Sequence, residues 1–183
     1  MTDTEQLLAR VADKARKTPP RHGTSLPAPV TADALARAEA ELGFALPPLL
    51  AALYTRMADG GYGPEYGLFP LRTAVARYTA RRATDPDATD WPWPEGVLPI
   101  LDWGCAMNAC VDCRSDDATV LLFEPNPGIP DLAWYVDAPS LGAWITAWTD
   151  GTAWYDRLEE DLDADFDDLG ITPWPHFRDR ARS

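Results

Sequence analysis

Three cysteines have the spacing that most resembles a site for metal or thiol chemistry. Cys105, Cys110 and Cys113 form a C-x4-C-x2-C pattern, and a CxxC pair can bind zinc or exchange disulfides. The CxxC pair lies in a stretch with strand-like alternation, which directs its two sulfur atoms to opposite faces of a sheet. The two histidines, His22 and His176, are distant in sequence. We therefore expect buried free thiols and no metal site.

Two further patterns stop short of a complete motif. The acidic stretch 161–167 resembles the start of a calcium loop, but Phe166 and Thr172 stand where that loop needs glycine and glutamate. The glycines within residues 60–63 are not followed by Gly-Lys-Ser/Thr, and Tyr66 occupies the position that would complete G-x-G-x-x-G. A solvated acidic face and a turn are the expected structures.

Catalytic signatures are missing from the sequence. It contains neither the H-x-E and P-C-x-x-C pair of nucleobase deaminases nor a G-x-S-x-G elbow. Carboxylate-only hydrolysis stays open, because acidic residues are abundant and nothing singles out a pair. We predict a protein that is not an enzyme, with no catalytic residue and no cofactor.

The charge of the chain limits its partners. The formal net charge is −13 over 183 residues, although residues 1–30 are slightly basic. Such acidity disfavours nucleic acid and anionic membranes and favours a basic protein partner; solubility alone is the other interpretation. With no apolar run of about 18 residues and no secretory signal at the N-terminus, we expect a cytoplasmic protein without a membrane span.

Hydrophobic periodicity and breakers predict the order of the elements. Helices are expected at 4–17, from a Thr31 cap to Leu42, from Pro47-Pro48 to Asp59-Gly60-Gly61, at 71–82, after Ser140 and from Trp154. Strands are expected at 67–71, 97–101, 106–113, 119–124 and 132–136. Four prolines mark 18–29 as a linker, which would make the first helix an appendage, and the last residues are expected to fray.

This order predicts an α+β fold, an antiparallel meander sheet with helices packed on one face. An extra N-terminal helix and an acidic C-terminal segment flank the core. We divide the chain into an N-terminal helical extension and linker (1–27), a core domain (28–150) and a C-terminal helical and acidic extension (151–183).

Aromatic and acidic residues on two loops are the best candidates for recognition. Such residues suit contact with a basic partner. In the second loop the tryptophans could equally cover the edge of the core. The predicted partner-binding residues are Tyr62, Glu65 and Tyr66 after the double glycine, and Asp85, Asp87, Asp90, Trp91 and Trp93 in the Trp-Pro loop.

The order of motifs between about 28 and 150 resembles the SUKH superfamily of Smi/Knr-like proteins. The first part of this stretch is similar to the start of the family, since it has a glutamate-bearing helix, the LG-x-x-LP break, D-G-G and the short G-L-F-P-L strand. The I-L-D-W-G run, the A-C-V-D-C hairpin and the S-L-G-A-W-I helix are similar to its middle and end. The matching residues are Glu39, Glu41, Leu42, Gly43, Leu46, Pro47, Asp59, Gly60, Gly61, Leu68, Pro70, Leu71, 100–104 and 140–145.

The resemblance implies binding and not catalysis. Bacterial members are mostly immunity proteins that bind and neutralise a cognate polymorphic or contact-dependent toxin, often a nuclease or deaminase. Asp59 departs from the Asn that the family often has there, and the two extensions have no role that the family supplies. The alternative is a regulatory adaptor of the same fold with a non-toxin partner.

Overall fold

Helices lie mainly at the two ends of the chain and strands in its middle. The computed structural model describes residues 3–18, 25–84, 91–156 and 169–181. Within these ranges the helices are α1 Asp3–Lys17, α2 Ala32–Leu42, α3 Pro48–Ala52, α4 Leu71–Arg82, α5 Leu141–Asp150 and α6 Phe177–Arg180. The strands are β1 Val97–Gly104, β2 Met107–Asp112, β3 Val120–Phe123, β4 Trp134–Ala138 and β5 Thr172–Pro173.

The predicted helix caps are confirmed. The hydroxyl of Thr31 accepts a hydrogen bond from the Ala34 amide, and Ser140 does the same for Ala143 at the start of α5. Each hydroxyl satisfies an amide that has no partner within its own helix. Gly43 ends α2 at φ 79°, a left-handed conformation that glycine adopts without strain.

The helix that begins after the double proline is not a regular α-helix throughout. Pro47 and Pro48 open it as expected, since the first helical amides need no intrahelical acceptor. From Leu53 to Met57 the turns widen to a π-helix, closed by the Ala58 amide on the Leu53 carbonyl at 3.4 Å. This wider turn leaves Leu53 and Tyr54 both buried.

The five strands form one antiparallel sheet in the order β1-β2-β3-β4-β5. The register places Ala109 opposite Leu122, and Leu122 opposite Tyr135. This arrangement confirms the predicted α+β fold with a meander sheet. The segment 67–71 contributes only an isolated bridge, from Leu68 to Leu101, and α4 already begins at Leu71.

The two faces of β3 are covered by different parts of the chain. Leu121 and Phe123 belong to the main core, to which all of the helices α1 to α5 contribute buried residues. Leu122 points the other way and packs with Leu169 and Ile171 in a second cluster. The sheet is therefore buried on both sides of its central strand.

Residues 171–181 pack on the core, which corrects the expectation that this part of the chain end frays. Trp174 and Phe177 are buried, and the Trp174 amide donates to the Trp134 carbonyl at 2.9 Å. The ring of Phe177 stacks on Trp134 at 6.0 Å between centroids. Burial of these large aromatic rings outweighs the tendency of a chain end to fray.

Helix α1 is part of the main core, contrary to the expectation of an appendage. Leu8, Val11 and Ala15 are buried in it. On its outer face, Arg56 donates two hydrogen bonds to the carboxylate of Glu5, at 2.8 and 2.9 Å. The apolar stripe on α1 is narrow, yet it is wide enough to pack on the core as a single helix face.

Candidate partner-binding site

The loop between the π-helical turn and α4 is held in one conformation by its own backbone. The Gly61 amide donates to the Leu68 carbonyl at 2.8 Å, and the Leu68 amide donates to the Tyr62 carbonyl at 2.7 Å. The carboxylate of Asp59 accepts from the Leu71 amide at 2.7 Å, which caps the first turn of α4. Residues 59–67 therefore form a fixed platform.

Gly60 allows the two sides of this loop to approach. A Cβ atom at Gly60 would lie 2.5 Å from the Leu68 carbonyl oxygen, and the residue has φ 75°. No side chain fits that space, and an L-residue would be strained in that conformation. The double glycine is thus required for the loop, in addition to ending the helix.

Glu65 and Tyr66 stand at the tip of this loop. Glu65 has φ 45°, an uncommon conformation for a residue with a side chain. Tyr66 is 51% exposed, one of three large hydrophobic residues among those described that are exposed. Such a combination of local strain and an exposed aromatic ring is typical of binding sites.

The β1–β2 turn lies beside Tyr66. A Cβ atom on Gly104 would lie 4.0 Å from the Tyr66 ring. The two turn residues, Cys105 and Ala106, have φ 48° and 66°, as a type I′ turn requires, although that turn prefers asparagine and glycine. Tyr66 thus lies where its own loop and the β1–β2 turn meet, and each of these has a non-glycine residue at positive φ. We call residues 65–66 and 104–106 the Tyr66 surface.

A cleft of about 290 Å³ adjoins the Tyr66 surface. Its walls are the loop, the end of α1, the end of α5 and the segment after it. The charged residues of the lining are Lys14, Glu65 and Asp156. Lys14 donates to the Trp148 carbonyl and lies over the Trp148 ring. Because the lysine already has these partners, the cleft presents mainly carboxylates and aromatic rings to an incoming side chain.

Buried polar atoms lie behind this cleft. The indole N–H of Trp103, the indole N–H of Trp154 and the hydroxyl of Tyr155 are buried and have no hydrogen-bond partner among the residues that the structure describes. Burial, with the nearby carboxylates of Asp156, Asp137 and Glu65, raises the pKa of Tyr155. The phenol therefore stays protonated.

Asp137 is the most perturbed carboxyl group among the described residues. Burial raises its pKa to about 6, against the opposing effect of indole N–H groups. The indole N–H of Trp144 donates to the Asp137 carboxylate at 3.0 Å. The indole of Trp154 also favours the charged form of Asp137, although its N–H does not have the geometry of a hydrogen bond. With these neighbours, the carboxyl group of Asp137 acts as an acceptor for tryptophan.

The structure brings the first set of predicted residues together, in unequal roles. Tyr62, Glu65 and Tyr66 all line the cleft. Tyr62, however, is only 4% exposed, and its hydroxyl donates to the Leu53 carbonyl at 3.1 Å. Its side chain supports the loop from below, so we remove it from the contact surface and retain Glu65 and Tyr66.

The second set has different neighbours. Trp93 is buried, donates to the Val97 carbonyl at 2.7 Å and packs edge-on against Phe123 and Trp134. Trp93 is therefore a core residue, in agreement with the alternative interpretation that the tryptophans of this loop cover the edge of the core. Trp91 is half-buried and also meets Phe123 edge-on. The predicted residues Asp85, Asp87 and Asp90 lie outside the described residues.

The cysteines do not match the expectation of three buried thiols. All three are free; Cys110 is buried and Cys113 is largely buried, but Cys105 is exposed at the tip of the β1–β2 turn. Burial raises the pKa of both Cys110 and Cys113. The predicted strand at 106–113 begins after Cys105, but the alternation could not show that Cys105 lies in an exposed two-residue turn.

Other residues of this site were not predicted from the sequence. Lys14, Trp148, Tyr155 and Asp156 come from segments far apart in the chain, and only the packing of α1 against α5 brings them to the loop. In the sequence, Tyr155 was visible only as one position of a short helix. No local signal links these residues to Glu65.

Within the described ranges, no group of three or more His, Cys, Asp or Glu side chains is placed to hold a metal ion. None of the helices in the same ranges combines the length and apolar character needed to cross a bilayer.

Comparison with known families identifies a family to which this chain is similar. The model of the SMI1 / KNR4 family (SUKH-1) matches residues 29–147, more than half of the chain. The match begins just before α2 and ends within α5, so it includes the Tyr66 surface and strands β1 to β4. A search of curated proteins finds no match.

Proposed function

We propose that this chain, which belongs to the SMI1/KNR4 family (SUKH-1), is an immunity protein that binds a cognate toxin and neutralises it as a stoichiometric complex. The family is known for immunity-like proteins, is generally non-catalytic and acts through protein partners. The toxin would be basic, for example a nuclease. The protein would act in the cytoplasm and carry no enzymatic activity of its own.

The observation that carries this proposal is the family match combined with a net charge of −13. A nuclease must be basic where it meets nucleic acid, since it neutralises phosphates. An acidic protein can occupy that same surface and speed the encounter by long-range attraction. Masking of the toxin's active surface would then be enough, with no chemistry needed.

The contact region would centre on the Tyr66 surface. Tyr66 supplies an exposed aromatic ring of the kind that dominates binding energy, and Glu65 supplies a negative charge beside it. The fixed backbone of the 59–67 loop limits the entropy lost when a partner binds. Residues 28–150 would form the binding core, and residues 85–91 of the Trp-Pro loop would extend the contact.

A co-expression experiment tests this function. A toxin domain encoded beside this gene should kill the host, and the wild-type protein should rescue it. Glu65→Arg combined with Tyr66→Ala should abolish rescue, because charge and anchor are lost together. Asp117→Arg is the matched control: Asp117 is also exposed, on the β2–β3 turn, so the same charge reversal there should leave rescue intact.

Failure of the wild-type protein to rescue, or to bind the neighbouring product, would refute the immunity function. A housekeeping operon around the gene, together with binding to one of its products, would instead support the adaptor alternative. Equal rescue by the double variant and the wild type would refute the Tyr66 surface while leaving the immunity function in place.

A further inference from the structure

Arg81, near the end of α4, carries a positive charge that no acidic side chain of the described residues pairs with. Its guanidinium lies 4.7 Å from the centroid of the Trp93 ring and 5.4 Å from that of Phe123. Among the described residues, no hydrogen bond or ion pair reaches this guanidinium. A partly buried guanidinium with unused N–H donors is costly, because its lost hydration is not replaced.

A second arginine stands one helical turn before it. Arg77 is spaced i, i+4 from Arg81, so the two like charges repel along the helix. Burial, and in smaller part Arg77, lowers the pKa of Arg81. Arg77 lies over the Phe69 ring and has only a long ion pair with Asp102, at 3.7 Å. Arg77 and Arg81 together therefore form a local region of net positive charge in an acidic protein.

The two arginines line a small pocket of about 190 Å³ between α4 and the sheet. Its other walls are Ala80, Trp93, Pro99 and Asn108. Trp93 is fixed by its bond to the Val97 carbonyl, and Asn108 by a bond of its amide to the Leu101 carbonyl at 3.2 Å. The pocket is thus rigid on the sheet side, with its charge on the helix side.

We propose that this pocket binds an oxyanion, a phosphate or carboxylate group, between the guanidinium groups of Arg77 and Arg81. The planar fork of a guanidinium matches two oxygens of such a group. The volume suits one small anionic group and little more. Stacking on Trp93 and Phe123 orients Arg81 in advance, so little side-chain entropy is lost on binding. The inference goes beyond the proposed function and does not depend on it.

The net negative charge of the protein does not preclude this site. Charges more than about 10 Å away are largely screened at moderate ionic strength. Asp102 pairs with Arg77 at 3.7 Å and offsets part of the positive charge at the site. We expect weak binding, in the millimolar range, since one small anion makes few contacts.

Titration with inorganic phosphate and, separately, with sodium acetate tests the pocket. The ionic strength is held constant with sodium chloride, and the indole N–H resonance of Trp93 is followed by NMR. Phosphate should shift this resonance saturably. Saturation by acetate as well would extend the ligand class to carboxylates, whereas saturation by phosphate alone would restrict it to phosphate groups. A linear response to both salts would overturn the proposal.

Variants separate the site from general salt effects. Arg81→Met retains the apolar stem of the side chain. The Arg77→Met protein should fold normally, because the Arg77 side chain is 45% exposed. Each substitution should weaken phosphate binding about tenfold or more. Arg72→Met removes the same charge from an exposed position on α4 and should leave the affinity unchanged. An arginine retained only for packing would change stability without changing the phosphate titration, and that result would contradict the proposal.

Discussion

At the scale of single residues, Asp137 shows how burial changes an acid. Its carboxyl group accepts a hydrogen bond from Trp144 beneath the surface, and burial raises its pKa to about 6. The unfolded value is about 4. The folded chain therefore binds this proton more tightly than the unfolded chain does. Between these two values unfolding releases the proton, so the contribution of Asp137 to stability falls as pH rises.

Asp137→Asn should remove this dependence. Asparagine keeps an oxygen that can accept from Trp144, and it has no charge to bury. We expect the variant to be more stable than the wild type near pH 8, by up to roughly 3 kcal/mol, and the difference to vanish near pH 4. Urea unfolding of both proteins at the two pH values measures it. A difference independent of pH would contradict the assigned cause.

Tyr62 and Trp93 show the limit of residue-level prediction. Both are aromatic residues in proline- and glycine-rich segments, as exposed binding residues often are. Yet each is buried, with its polar atom bonded to a backbone carbonyl of a neighbouring segment. The sequence carries no signal for such a bond, because the acceptors, on Leu53 and Val97, become available only through the fold.

At the scale of elements, a buried ion pair helps to hold the C-terminal helix in place. Arg180 donates to the carboxylate of Asp112 at 2.9 Å and to the Glu95 carbonyl at 2.7 Å. The side chains of Arg180 and Asp112 are 21% and 6% exposed. Removal of one partner from a buried pair leaves an uncompensated charge, whereas a solvated pair contributes little.

Two arginines of α6 allow a matched comparison. Arg180→Ala should lower the free energy of unfolding by about 3 kcal/mol, because Asp112 remains buried and unpaired. Arg178→Ala breaks a pair with Asp131 whose side chains are 78% and 54% exposed, and should cost less than about 0.5 kcal/mol. Chemical denaturation measures both values. Equal small losses would show that the C-terminal segment frays after all.

Elements with local signals were predictable, and elements that depend on tertiary contacts were not. The caps at Thr31 and Ser140 and the glycine stop at Gly43 are encoded within a few residues, and all three are confirmed. Strand β5 and helix α6 are short and have no periodicity. They form because Trp174 and Phe177 find the Trp134 ring on β4.

The same distinction holds for the candidate site. Glu65 and Tyr66 were predicted from composition, since they follow a double glycine. Lys14 and Trp148, which complete the cleft, are brought there by the packing of α1 on α5. The strain at Cys105 was not predictable, because its turn residues are not those that a type I′ turn prefers.

At the scale of the whole molecule, this acidic protein has two distinct proposed binding sites. The Tyr66 surface combines an exposed ring with the carboxylate of Glu65, which suits a basic protein. The pocket beside Arg81 has the opposite charge and fits a small anion. Each place has its own lining residues, so variants at one should leave binding at the other unchanged.

Calorimetric titration of the purified protein with the toxin encoded beside it tests the central claim most directly. The account predicts one-to-one binding that Tyr66→Ala weakens by at least about tenfold, as loss of an aromatic anchor does, while Asp117→Ala stays within about twofold. Absence of binding would contradict the immunity function. Equally tight binding by Tyr66→Ala would contradict the assignment of the contact to the Tyr66 surface.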